Sequence, residues 1–378
     1  MPLSRRTFLR YGATSLLSGC IISSRASSLS AASKSGGDAV FISASSDTLG
    51  RYHVTTIDKH YHIIRQHEIL SRGHSFAVSH RYQSIFCISR RPENTIEVIN
   101  FKGELLQRVT LPEQRHLYGH AVCHTDGAYL YTTENKIHDG KGIIGVWKIN
   151  DTSNKLIPSH TFSSFGVGPH DIHISDDQRY LIVANGGIHT HPNTGRKKLN
   201  LSTMSPSLVY IDRETGQLHK QLYLPLNNHK NSIRHLAVSR RATVFIALQN
   251  HTTETKNQIL LAFYDGKQKS LLPLEIPSEL ETKLKGYIGS IALDASQKVL
   301  AATAPKGNCV LFYTANGEFM YHMNSDDVCG VQSTKNPKEF ILTNGKGDMI
   351  RCKADAELST TSVTQHKSIY WDNHLIAL

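Results

Sequence analysis

Gly119-His120-Ala121-Val122-Cys123-His124-Thr125-Asp126-Gly127-Ala128-Tyr129-Leu130-Tyr131-Thr132-Thr133-Glu134-Asn135 decides the reading of this chain. A Gly-His opening leads a short run of small and aliphatic residues. A polar Thr-Asp-Gly turn follows, and a second run of aromatic and β-branched residues ends on polar side chains. Runs of that chemistry between turn residues predict a strand, a turn and a second strand. The phrase returns along the chain. Its other openings are Gly73-His74-Ser75-Phe76, Pro169-His170-Asp171-Ile172, Arg234-His235-Leu236-Ala237, Gly289-Ser290-Ile291-Ala292, Cys329-Gly330-Val331 and Asn373-His374-Leu375-Ile376. Copies spaced roughly 40–65 residues apart point to a propeller or a repeat array.

Each copy continues with a third run, as in Thr95-Ile96-Glu97-Val98-Ile99, Ile144-Gly145-Val146-Trp147 and Val310-Leu311-Phe312-Tyr313. After a turn comes a more polar fourth run, such as Leu105-Leu106-Gln107-Arg108-Val109. Four strands per copy make the blade of a β-propeller. The last opening, Trp371-Asp372-Asn373-His374-Leu375-Ile376-Ala377-Leu378, stops after one strand, while the runs at 39–43 and 52–57 lack an opening strand of their own. The expectation is an all-β chain, a seven-bladed β-propeller of the YVTN/WD40-like kind over residues 39–378, closed by the C-terminal strand joining the N-terminal blade. Closure of this sort removes the open edge that would pair with other chains. Helical periodicity is absent apart from a short turn near 278–285.

Residues 1–20 read as a twin-arginine export signal with a lipobox. Arg5 and Arg6 sit in Ser4-Arg5-Arg6-Thr7-Phe8-Leu9-Arg10, and Leu17-Ser18-Gly19-Cys20 offers Cys20 for acylation. The apolar stretch between them is too short and too polar for a membrane span. Residues 21–38 form a Ser- and Ala-rich tether. The expected location is the periplasm, with the membrane reached through the lipid. The formal charge is +11, but the basic residues are scattered and no nucleic-acid motif occurs, so the reading is a monomer with no nucleic-acid partner. Beyond Cys20 the cysteines are Cys87, Cys123, Cys309, Cys329 and Cys352, mostly inside strand patterns, where a free thiol acts as a small hydrophobe. No Cys-x-x-Cys-His is present for covalent haem, and no paired Cys-x-x-Cys for structural zinc.

Five of the seven openings carry His at the same point of the repeat, and in a closed ring equivalent points converge. His74, His120, His170, His235 and His374 are therefore expected around the channel mouth, with Ser290 and Gly330 in the other two blades. The ends of the second strands reach the same face and add Arg91, Glu134 and Asn185. Imidazoles mixed with oxygen donors suit a borderline transition metal such as iron, copper or zinc, with iron or copper the expected cofactor. Glu134 or Asp171 would orient the rings from behind. Ordinary imidazoles would release such a metal below about pH 6.5, where they protonate. The competing reading is structural, with each His bonding a neighbouring blade's backbone once per repeat. Register bears on the choice, because His170 reads one residue early relative to its turn, and a one-residue slip reverses the face. No Gly-x-Ser-x-Gly elbow, His-Glu-x-x-His or P-loop occurs, so the residues name no catalytic group.

On Tyr118-Gly119-His120, Gly168-Pro169-His170-Asp171, Ala184-Asn185-Gly186-Gly187-Ile188, Ser232-Ile233-Arg234-His235-Leu236-Ala237 and Trp371-Asp372-Asn373-His374-Leu375, the chain resembles a bacterial domain-of-unknown-function family of exported seven-bladed propellers. The resemblance covers residues 39–378. Members usually carry Glu where Asp171 stands, one methylene longer in reach. The resemblance implies company with imelysin-like periplasmic lipoproteins and haem peroxidase-like proteins, and hence iron-uptake partners, but it supplies no catalytic residues. Three functions follow as expectations: a lipoprotein binding a metal or metal complex in iron uptake, a propeller enzyme (metal-dependent oxidoreductase or lactonase-like hydrolase), and a scaffold for a partner protein.

The leader reading is tested by substitution. Changing Arg5 and Arg6 together to Lys should leave the protein in the cytoplasm, as fractionation would show, and Cys20→Ala should abolish incorporation of a labelled fatty acid.

Overall fold

The computed structural model describes residues 39–378 apart from 196, 226–227, 254–257 and 356; Arg5, Arg6, Cys20 and the tether lie outside the described residues. Among the described residues the strands form seven four-stranded antiparallel sheets, the seven-bladed propeller expected. Blade one takes Ile369–Ala377 as its innermost strand, followed by Ala39–Asp47, Tyr52–Asp58 and Ile63–Ile69. Blades two to seven begin with Gly73–Ser79, Arg115–Cys123, Pro169–Ile174, Asn231–Val238, Ser290–Leu293 and Val328–Ser333. The second strands Ser84–Ser89 and Val299–Ala304 are buried at every position, as their unbroken apolar and small-residue runs demand. The outer strand Leu156–Val167 is largely solvent-facing.

The core is a series of layers between blades. Phe86, Leu117 and Trp147 join blades two and three, and Phe245 and Leu311 join five and six. Phe312 of blade six and Phe340 of blade seven place their ring centroids 6.0 Å apart. The stretch expected as a turn near 278–285 is a short helix, Ser278–Leu284. It buries Leu280 and Leu284 and ends at Lys285 in the left-handed region. The five described cysteines are free thiols.

The ring closes as the orphan strands require. Ile42 pairs with Ile376, Ser43 with Leu375 and Ser45 with Trp371. The Ser43 hydroxyl donates to the His374 carbonyl at 2.8 Å. Ile369, Trp371 and Leu375 are buried against Phe41 and Ile57 of blade one and Ile341 and Met349 of blade seven.

Register shifts gather where the innermost strands begin. They fall between Gly73 and Ser75, Leu117 and Ala121, Pro169 and Asp171, and Ile233 and His235, and in blade one between the Ser45–Trp371 and Ser43–Leu375 pairs. Such a bulge adds a residue to one strand and re-aims a side chain. In this register His74, His120 and His170 each stand one residue before the first pair after the shift, whereas His235 is itself in that pair, so His170 is in step with His74 and His120.

Deleting residues 371–378 should remove the closing strand and the buried Trp371 and Leu375, each worth about 1.5–3 kcal/mol of burial. The truncated chain should aggregate or lose cooperative unfolding in calorimetry. A soluble monomer with an unchanged melting midpoint would contradict the closure.

Candidate metal centre

His74, His120, His170, His235 and His374 are all buried and pack ring against ring. Four of them form a quadrilateral. Its centroid separations are 5.5 Å for His74–His170, 4.8 Å for His170–His235, 4.7 Å for His235–His374 and 4.9 Å for His374–His74, with a His74–His235 diagonal of 6.4 Å. His120 is nearly equidistant from all four, at 4.9, 5.1, 5.2 and 4.8 Å from His74, His170, His235 and His374. It therefore stands off the quadrilateral as the apex of a pyramid. An imidazole nitrogen about 2.1 Å from a metal puts its ring centroid about 3.2 Å away, so rings at right angles have centroids about 4.5 Å apart and opposed rings about 6.4 Å. Ring spacings of 4.7–5.5 Å between neighbours are of the order that shared coordination of an ion requires.

His74 Nδ1 and Nε2, His120 Nε2, His235 Nδ1 and His374 Nε2 are buried without a hydrogen-bond partner. Ligand atoms of His74, His120 and His374 lie within 4.8 Å of one another, as do those of His120, His170 and His235. Orphaned buried polar atoms cost about 1–3 kcal/mol each.

The outer nitrogens are held from behind. His120 Nδ1 lies 3.1 Å from Asp171 Oδ1, which fixes Nε2 toward the cluster. The other Asp171 oxygen accepts from the Leu236 amide at 2.9 Å and lies 3.6 Å from His173 Nε2. The shorter reach of Asp is thus enough. His374 Nδ1 is 3.4 Å from the Ser290 hydroxyl. His170 Nδ1 accepts from Arg234 Nη1 at 3.3 Å, which engages its lone pair. Gly119, at φ 114°, is required because a Cβ there would overlap the His74 ring.

Burial, together with neighbouring imidazoles and with Arg90 for His74 and Arg234 for His170 and His235, holds these three rings well below the ordinary imidazole range. Burial and His120 push His374 down to about 3. For Asp171 burial acts upward, but His120 and His173 reverse it and hold the carboxyl well below its usual value. These rings are therefore neutral at neutral pH, and on His170 the Nδ1 lone pair is taken up by Arg234.

The ring layer divides the channel. On one side is a well of about 550 Å³, reached by His120, His235, His374 and Asp171. On the other is a recess of about 30 Å³, lined by His74, His170, His235, Arg90, Arg91 and Arg234. Arg91 is where the sequence placed it, with its guanidinium 5.1 Å over the Tyr118 ring. Glu134 and Asn185 are not at the rings. Glu134 accepts from Thr132 at 2.6 Å and from Arg115 at 3.2 Å, and burial pushes it up to about 7. Asn185 donates to the Ser164 carbonyl at 2.8 Å. Strand alternation turns both away, since position at a strand end sets height along the channel and not direction. Arg234 went unnoticed in the sequence, although it adjoins His235 inside a bulge, the one setting where neighbouring residues both turn to the site.

Solved structures of similar fold include the periplasmic gluconolactonase of Pseudomonas aeruginosa, 13% identical, with a TM-score of 0.62 over 90% of this chain and 99% of that one. A candidate 6-phosphogluconolactonase of Bacteroides fragilis is 14% identical, with a TM-score of 0.61 over 92% and 99%. A chain of the mitotic checkpoint complex is 12% identical, with a TM-score of 0.56 over 78% and 81%. At these identities the likeness concerns the fold alone. No curated protein matches in sequence. Residues 67–378, which carry all five histidines, match the family described as Protein of unknown function (DUF1513), and the chain belongs to that family.

Proposed function

We propose that this protein is a metal-binding propeller whose five-histidine centre holds one transition-metal ion across the channel. One observation carries the reading: buried imidazole nitrogens without a protein partner gather in two triads of possible ligand atoms that share His120. Neutral nitrogen donors without a thiolate favour iron, copper or zinc over hard cations. Asp171 behind His120 is the second-sphere carboxylate that such ligands use. Export, lipid anchoring and a place in iron uptake belong to the same proposal, and they rest on the leader sequence and the family resemblance.

A hydrolase reading uses the same centre. It is favoured by the recess beside the rings, where a metal-bound water would meet a substrate. The names of two propellers of similar fold make lactones the first substrates to try. Gluconolactone hydrolysis that is lost on metal removal would support it, and an unchanged background rate would leave metal binding alone.

Elemental analysis of the exported protein should find about one transition-metal ion per chain. Replacing His74 and His120 together with Gln should lower that content about tenfold or more while the circular dichroism spectrum is retained. Metal-free native protein, or a double variant that keeps its metal, would overturn the proposal. The pH response has a definite sign. The basal rings stay neutral in the folded protein well below 6.5, whereas those of the unfolded chain protonate there. The native state then binds fewer protons, so the metal-free protein loses stability as pH falls from about 6.5 toward the folded values. Its melting midpoint should drop over that window, and the drop should be smaller in the double variant. With these imidazoles held below their ordinary range, the proposed centre should keep its metal below pH 6.5, where ordinary imidazoles would release it.

A further inference from the structure

The recess on the Arg90 side is lined by His74, His170 and His235 but not by His120. His120 faces the well on the opposite side, with Asp171 behind it. His235 reaches both spaces. An ion held by the rings that line the recess would have a coordination position facing it.

That recess is strongly positive. Arg90, Arg91 and Arg234 line it, and none of its lining residues is acidic. The carboxylate of Asp372, the acid that acts most on Arg90, is paired with Arg72. Arg91 Nη1 is buried without a hydrogen-bond partner. Arg234 bonds His170 Nδ1 through Nη1 and Gln249 through Nη2, the latter at 3.1 Å. Neutral imidazoles leave a bound dication uncompensated, and an uncompensated buried charge is costly. The guanidinium groups have the geometry that receives planar or tetrahedral oxyanions.

We infer that the open position takes a small oxyanion group, the carboxylate of an organic acid or a phosphate, bound through one oxygen to the metal and through others to Arg91 and Arg234; this rests on the metal reading above. The recess admits one such group and leaves the rest of the molecule outside. The two binding events reinforce each other. An oxyanion accepting from Arg234 Nη1 frees the His170 lone pair for the ion, and the ion in turn supplies the charge that holds the oxyanion.

Cobalt(II)-loaded protein provides the test, because its visible absorption changes with coordination. Acetate and inorganic phosphate are titrated separately at constant ionic strength. A saturable spectral change with acetate alone assigns a carboxylate, one with phosphate alone assigns a phosphate, and one with both assigns a general oxyanion site. Arg91→Gln should raise the half-saturating concentration about tenfold or more with the cobalt content unchanged, and Arg91→Lys should restore part of the loss. Arg234→Gln is the second variant and should weaken the anion likewise. If cobalt binds stoichiometrically but neither anion alters the spectrum, or if both Gln variants match the parent, the inference is overturned and the metal reading stands. Failure of cobalt to bind at all overturns the metal reading itself, and this inference with it.

Discussion

The structure depends on one pairing, that of Ile369–Ala377 with Ala39–Asp47. Seven blades stacked edge to edge share apolar layers, but their innermost strands face a common channel only when the ring is shut. Closure is also chemistry here, because the closing strand carries His374, the imidazole nearest to both His235 and His120. The same strand buries Trp371 and Leu375 in the layer between blades seven and one. Fold closure and the assembly of the site therefore share an element.

What the ring gathers is unfavourable in isolation. Five imidazoles are buried together beside three guanidinium groups, with Asp171 the one carboxylate that bonds them. The rings respond by staying neutral, which avoids mutual repulsion but leaves their lone pairs unsatisfied. In the proposed reading a cation would complete those lone pairs, and an anion would then complete the cation. The arginines and histidines read as parts of one electrostatic arrangement, with the inter-blade cores holding it in place.

Much of this was legible in the sequence, and the reasons differ between parts. Strand runs, turns and the orphan strands at 39–43 and 371–378 are period-two and turn signals, which survive without tertiary knowledge. The five histidines were legible because repetition around an axis turns sequence phase into spatial convergence. Direction was harder to read. The bulges at Gly73–Ser75 and Pro169–Asp171 shift a side chain from one face to the other without any marker in residue type. For the same reason Glu134 and Asp171 looked equivalent as supporting carboxylates. One of them faces Arg115 and Thr132 and the other His120, and only the local backbone decides which. Arg234 was missed because its neighbour His235 drew the reading, and alternation sets adjacent residues on opposite faces unless a bulge intervenes.

The central claim is that the pyramid of imidazoles is a coordination sphere, and anomalous diffraction from metal-loaded crystals tests it most directly. The account predicts one anomalous peak inside the pyramid, about 2.0–2.2 Å from His120 Nε2 and from nitrogens of the basal rings. Peaks confined to surface histidines such as His60 or His160, with the pyramid lacking one, would contradict it.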